Sequence, residues 1–233
     1  MKTRKGWILV YGIIIAGVIL MAHWGSMAVT VISENIPVER NHRIIIDAGH
    51  GGVDGGATSC TGLLESTYNL DIALKLNDLF HLLGYDTVMI RTTDISVYTR
   101  GESIAQKKIS DLKERVRIAN ETEGAILLSI HQNNFSDSRY SGAQIFYAST
   151  EGSSELARQM QSTMIRALNP GSNRQSKKSD GVYLMEHIVC PGILIECGFL
   201  SNVREEALLR SREYQQKLCC VIASTVDAFL SNS

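Results

Sequence analysis

Three short runs limit what this chain can fold into: "RIIID" (Arg43 to Asp47), "GAILLSI" (Gly124 to Ile130) and "GILIE" (Gly192 to Glu196). Each is too short and too β-branched for a helix, so each reads as a strand buried on both faces. Further strands are read at 85–91 ("YDTVMIR"), 142–147 ("GAQIFY") and 181–184. Helical spacing fills the gaps between them. After Ser66, read as an N-cap, Ile72, Ala73, Leu76, Leu79, Phe80 and Leu83 make one apolar face, and Gly84 stops it. Ile109, Leu112, Val116 and Ala119 share a face in 101–120, and Leu156, Met160, Met164 and Ala167 share one in 153–168. The last helix, 204–230, uses Tyr214, Leu218, Val221, Ile222, Val226 and Phe229. Strands alternating with helices predict a single layered α/β domain, with a central, mostly parallel six-stranded sheet flanked by helices.

In such folds the working residues sit at the C-terminal ends of strands. The first run delivers His50 through "DAGHGG", the second delivers His131 through "LLSIHQNN", and the third ends on Glu196. Glu65 stands just before the first long helix and so can return to the same rim. Two histidines and a glutamate are a common set of protein ligands for catalytic zinc. Glu196 is then a second carboxylate, free for proton transfer. Each residue also has a structural reading. Glu65 suits a helix N-terminus, His131 can cap a strand end, and Glu196 can be a buried ion-pair partner. The spacing of His50, Glu65 and His131 is not a local ligand signature, so spacing alone leaves both readings open. The glycines around His50 lack the pattern of a nucleotide-binding loop.

The chain has 233 residues, a formal charge of −1 and 44% hydrophobic residues. That balance gives no electrostatic reason to expect nucleic acid, and no basic patch is interleaved with aromatics. At the N-terminus "MKTRKG" carries three positive charges ahead of "WILVYGIIIAGVILMA" (Trp7 to Ala22). A positive start before an apolar core reads as an apolar targeting helix, either a secretory signal or a membrane anchor. The run is short for a full span, but "HWGSMAVTVI" can extend it, and Ser26-Met27-Ala28 fits a cleavage site. Both forms stay open, and both send the remainder out of the cytoplasm. The expected organisation is 1–28 signal peptide or anchor, 29–42 short tether and 43–230 folded domain. Fully extended, residues 31–42 reach about 40 Å, which would hold an anchored domain near the outer membrane face.

Taken in order, "IIIDAGHGGVDGGA", the glutamate of "LLESTYNLDIALKL", "TR", "LKERVRIAN", "LLSIHQNN" and "ILIECGFLSN" resemble the zinc-dependent N-acetylmuramoyl-L-alanine amidases of the Amidase_3 type. The resemblance covers about residues 43–230, which makes that span a zinc amidase catalytic domain. It implies hydrolysis of the amide joining the lactoyl group of muramic acid to L-alanine. Carried over by motif, His50, Glu65 and His131 match the zinc ligands and Glu196 matches the catalytic glutamate. Asp47, Asn133 and Asn134 are candidates for orienting ligands or contacting substrate. The glycines then read as keeping side chains away from His50, so that a bulky glycan-peptide reaches the metal.

Within the family, the layout is similar to the sporulation amidases of the CwlD type, which prepare spore-cortex peptidoglycan for muramic-δ-lactam formation. It shows no wall-binding repeats, and the polar stretch "NPGSNRQSKKSDG" (169–181) leaves no room for the long plugging helix of some relatives. The expected partners are Zn2+, peptidoglycan, the membrane through the N-terminal segment, and an accessory envelope protein. The expected location is extracytoplasmic, including the forespore intermembrane space. A general lytic amidase, another zinc peptidase acting on stem peptides and a non-catalytic wall-binding module are the alternatives. Five cysteines with one vicinal pair make no disulfide framework and read as small core residues, with Cys60 as a rival zinc ligand.

Overall fold

From Ile44 to Ala48, every residue of the first strand is buried, as a run without alternating polar positions requires. The computed structural model describes residues 42–231; the targeting segment and nearly all of the tether lie outside the described residues. The strands are β1 (Arg43–Ala48), β2 (Asp86–Met89), β3 (Ala125–Asn133), β4 (Gln144–Tyr147), β5 (Lys177–Lys178) and β6 (Gly192–Phe199). They form one six-stranded sheet in the order β2-β1-β3-β6-β4-β5. Only the β4–β6 pair is antiparallel. The helices are α1 (Glu65–Leu82), α2 (Ile104–Glu121), α3 (Ser153–Leu168), α4 (Tyr183–His187), α5 (Val203–Arg210) and α6 (Arg212–Ser231).

Strand period two sorts the side chains onto two faces. Ile44, Ile46, Ile126, Leu128, Ile130, Ile193 and Ile195 join a core with residues of α1, α3 and α6. Ile45, Leu127 and Leu194 join a second core, on which Leu184 and Met185 of α4 and Ala119 of α2 pack. Asp47, Ser129, His131 and Glu196 fall on the alternate positions with that second set. A polar file thus runs up to the C-terminal ends of β1, β3 and β6.

Four sequence expectations change. Segment 181–184 is not a strand: Gly181 leads into α4, and its N–H donates to Glu186 Oε1 at 2.7 Å. The sixth strand is instead Lys177–Lys178, an edge pair on β4 that carries no apolar signal. Ser66 is not the N-cap of α1, because Leu64 holds that place without a side-chain cap and Ser66 lies inside the helix. The long C-terminal helix breaks at Ser211, whose Oγ accepts from Tyr214 N as α6 begins. On α2 the buried side chains are Ser110, Arg115 and Ala119, while Ile109 is 55% exposed.

Candidate metal centre

The loop after β1 turns back on itself, with Gly51 and Asp54 exchanging backbone hydrogen bonds of 2.7 and 3.2 Å. His50 takes a left-handed φ of 60°, a conformation that costs a residue other than glycine. Two buried arginines hold it there. Arg91 donates to the carbonyls of Ala48 and Gly49, and Arg115 donates to those of Ala48 and His50. Arg115 is held in turn by Asp47 and by Asp111 at 2.6 Å. Asp47 also accepts from Ser129 Oγ at 2.6 Å. Burial alone would raise the Asp47 carboxyl, but Arg115, His131 and Ser129 together outweigh it and bring the carboxyl below its ordinary range.

Glu65 opens α1, and its carboxylate closes the loop by accepting from Ala57 N and Gln132 N. The same carboxylate meets His131 Nδ1 at 3.0 Å and His50 Nε2 at 3.3 Å. One donor atom from each of the three residues lies within 4.8 Å of the others. The imidazoles meet edge to face, with centroids 5.0 Å apart. Burial opposes the Glu65 charge, yet the two imidazoles hold its carboxyl far below the usual range. Burial would also lower His50, but Glu65 and Asp54 raise it instead.

A tetrahedral zinc with bonds of about 2.1 Å needs donors about 3.4 Å apart, which suits this trio. Three facing donors from separate segments, two of them imidazoles, fit a metal better than they fit one another as bare ion pairs.

Glu196 stands beside the trio, paired in register with His131 on the neighbouring strand. Its Oε2 is buried and has no hydrogen-bond partner. Burial pushes its pKa up to about 7, with Glu65 adding to the rise and the two histidines opposing it. A cavity of about 90 Å³ opens next to both imidazoles, between α2 and the segment Val182–Leu184.

Other candidates are placed differently. Asp47 is sealed beneath Arg115 at 1% exposure, so it supports the loop and does not face solvent. Asn133 is half-buried, its carbonyl accepting from Leu200 N at 2.8 Å, and Asn134 is exposed. Cys60 is exposed and not among the clustered donors. Cys197 and Cys219 are buried as expected, but Cys220 is also exposed, so the core reading holds for only part of the set. The glycines do keep side chains off His50, since a Cβ on Gly56 would lie 2.7 Å from its Cδ2, but they clear the other donors as well. A Cβ on Gly49 would lie 2.2 Å from His131 Nε2, and one on Gly56 would lie 2.6 Å from Glu65 Oε2. They make room for the donor side chains themselves.

Sequence reasoning missed Asp54. Its Oδ2 lies 3.1 Å from His50 Nδ1 and 3.1 Å from Lys108 Nζ, and its Oδ1 accepts from Gly56 N. It thereby turns His50 Nε2 toward Glu65. The only sequence signal was an acid inside a glycine-rich turn, four residues beyond a candidate ligand.

The pattern of the N-acetylmuramoyl-L-alanine amidase family, Amidase_3, matches residues 44–228. The chain belongs to that family. It is 36% identical over 181 residues to the germination-specific N-acetylmuramoyl-L-alanine amidase of Bacillus subtilis, covering 77% of this chain and 76% of that one. It is 32% identical to the N-acetylmuramoyl-L-alanine amidase LytC of the same organism, covering 75% of this chain but 32% of LytC. Among solved structures, the CwlD amidase of Clostridioides difficile, in complex with the GerS lipoprotein, superposes with a TM-score of 0.78 at 37% identity. That match covers 82% of this chain and 99% of CwlD. The protein is therefore a peptidoglycan amidase with a candidate metal site. Among its described residues, no helix is long and apolar enough to cross a membrane.

Proposed function

We propose that this amidase is zinc-dependent, that His50, Glu65 and His131 hold the metal, and that Glu196 is its general base and acid in spore-cortex maturation. The observation that carries the reading is the convergence of those three donors within 4.8 Å beside a buried, unpartnered carboxylate oxygen. Bound there, zinc would polarise the lactoyl carbonyl and acidify a water. Glu196 takes the proton of the attacking water and returns it to the departing amine of L-alanine. A carboxyl raised by burial suits a group that must be base and then acid. A nearby cation pulls that value down again, so base and metal are tuned together. Asp54 fixes the His50 ring, and Arg91 and Arg115 fix its backbone.

The cortex role is supported by the likeness to a germination-specific amidase and to CwlD. The CwlD–GerS complex also supports an accessory envelope protein as a partner of this chain. Residues 1–28 are proposed as the export signal or anchor, 29–42 as the tether and 43–230 as the catalytic domain. Mass spectrometry of cortex muropeptides digested by the purified chain tests the reading. Free stem peptides beginning at L-alanine are expected. Loss of terminal D-alanine alone means a carboxypeptidase, and no product means a binding module.

A further inference from the structure

Past the His131–Glu196 pair, β6 gains one residue on β3, so that Asn133 faces Phe199 in register. Phe199 therefore sits one step further out, on the order of 7 Å along the strands. It is 4% exposed and forms the footing of an aromatic stack. Tyr140 stacks on it with centroids 6.2 Å apart, and Phe135 meets Tyr140 edge to face at 4.9 Å. Arg174 lies 5.1 Å from the Phe199 ring centre. Phe135 is 50% exposed and Tyr140 is 48% exposed. The loop carrying them is pinned: Phe135 N donates to Ser201 Oγ at 3.2 Å, and Asn202 Nδ2 donates to the carbonyls of Ser138 and Tyr140. The two half-exposed rings lie on a pinned loop outside both cores, each with about half of its surface facing solvent. Exposed aromatic groupings of this kind mark binding surfaces.

We propose that Phe135 and Tyr140 form a platform on which a sugar ring of the glycan strand stacks, outside the N-acetylmuramoyl unit whose amide is cut. This rests on the amidase reading. The cavity at the imidazoles, about 90 Å³, holds only a few atoms, so most of a polymeric substrate must lie on the rim. A pyranose ring presents a flat C–H face, and an edge-to-face pair leaves an aromatic face open to receive it. Beside the metal site, Lys107 and Lys108 of α2 line a cleft together with Asp54 and Asp111, and Lys108 is paired with Asp54, so that side is charged. On the aromatic side Arg139 and Asp137 pair with each other, leaving a surface fit for uncharged sugar.

The test compares two substrates with the full chain: a peptide-bearing tetrasaccharide and the same peptide on N-acetylmuramic acid alone. Removing both rings, Phe135→Ala with Tyr140→Ala, is expected to lower the tetrasaccharide-to-monosaccharide ratio of kcat/KM about tenfold, mainly through KM, the scale of one good aromatic contact. Metal content stays at the wild-type value. The single change Phe135→Trp keeps a stacking face and is expected to keep the ratio. An unchanged ratio in the double variant overturns the platform, whether the rings are idle or serve a protein partner. So does an equal loss on both substrates, which marks a structural role. A wild-type chain that cuts neither substrate contradicts the amidase reading, and the platform falls with it.

Discussion

One carboxylate serves two imidazoles at Glu65, so the ring orientation of each histidine has to be fixed from behind. For His50 that support is Asp54, 3.1 Å from Nδ1. Outer partners of this kind are typically worth 10- to 100-fold in metal affinity. Asp54→Ala is expected to weaken zinc binding by about that factor in a chelator competition, with the circular dichroism unchanged. Wild-type affinity in the variant would show that the loop alone orients the ring. Glu196 makes a different prediction, because its buried Oε2 has no hydrogen-bond partner to lose. Glu196→Gln is expected to leave the melting temperature near wild type while slowing release of stem peptide by about 10²- to 10⁴-fold. A large loss of stability with little loss of rate would make it a structural acid.

At the scale of elements, α2 is the brace behind the centre, and Arg115 is its main contact. The ion pair of Arg115 with Asp47 is buried, with exposures of 3% and 1%. Breaking such a pair from one side costs about 3–5 kcal/mol, so Arg115→Met should lower stability in urea by that order. A variant as stable as wild type would rule out this brace. The pair also sets a pH dependence. Asp47 has a lowered carboxyl pKa in the fold, so its contribution is fully present above the unfolded value of about 3.9 and is lost as pH falls through the folded one. Below about pH 4, wild-type stability should therefore fall more steeply than that of Asp47→Asn, measured by urea unfolding across that window. Equal slopes would show that the pair is not linked to folding. This brace was hidden from sequence reasoning. The helical spacing of Ile109, Leu112, Val116 and Ala119 pointed to an apolar stripe; Ala119 is buried and Val116 packs on the second core, but Ile109 is exposed and the other buried side chains of α2 are Ser110 and Arg115. Periodicity reads hydrophobic residues and cannot see an arginine buried to meet carbonyls.

For the whole molecule, the sheet was legible because β1, β3 and β6 are buried on both faces and announce themselves as apolar runs. The residues ending those strands were legible for the same reason, since a parallel sheet delivers its strand ends to one edge. Features set by loops and edges were not. Lys177–Lys178 carries no strand signal, and the turn from Gly181 into α4 depends on a hydrogen bond to Glu186. Asp54 acts through a turn whose closure no spacing rule predicts. Exposed Cys60 and Cys220 show that residue type alone did not fix burial. All five cysteines are expected to be replaceable without loss of zinc, and a zinc deficit in the single variant Cys60→Ala would restore Cys60 as a ligand. Two glutamates, Glu65 and Glu196, divide two roles, metal ligand and general base. Zinc per chain, measured side by side in purified Glu65→Ala and Glu196→Gln, tests that division most directly. Glu65→Ala should lose the metal and Glu196→Gln should keep one zinc per chain; zinc retained by Glu65→Ala and lost from Glu196→Gln would contradict the assignment.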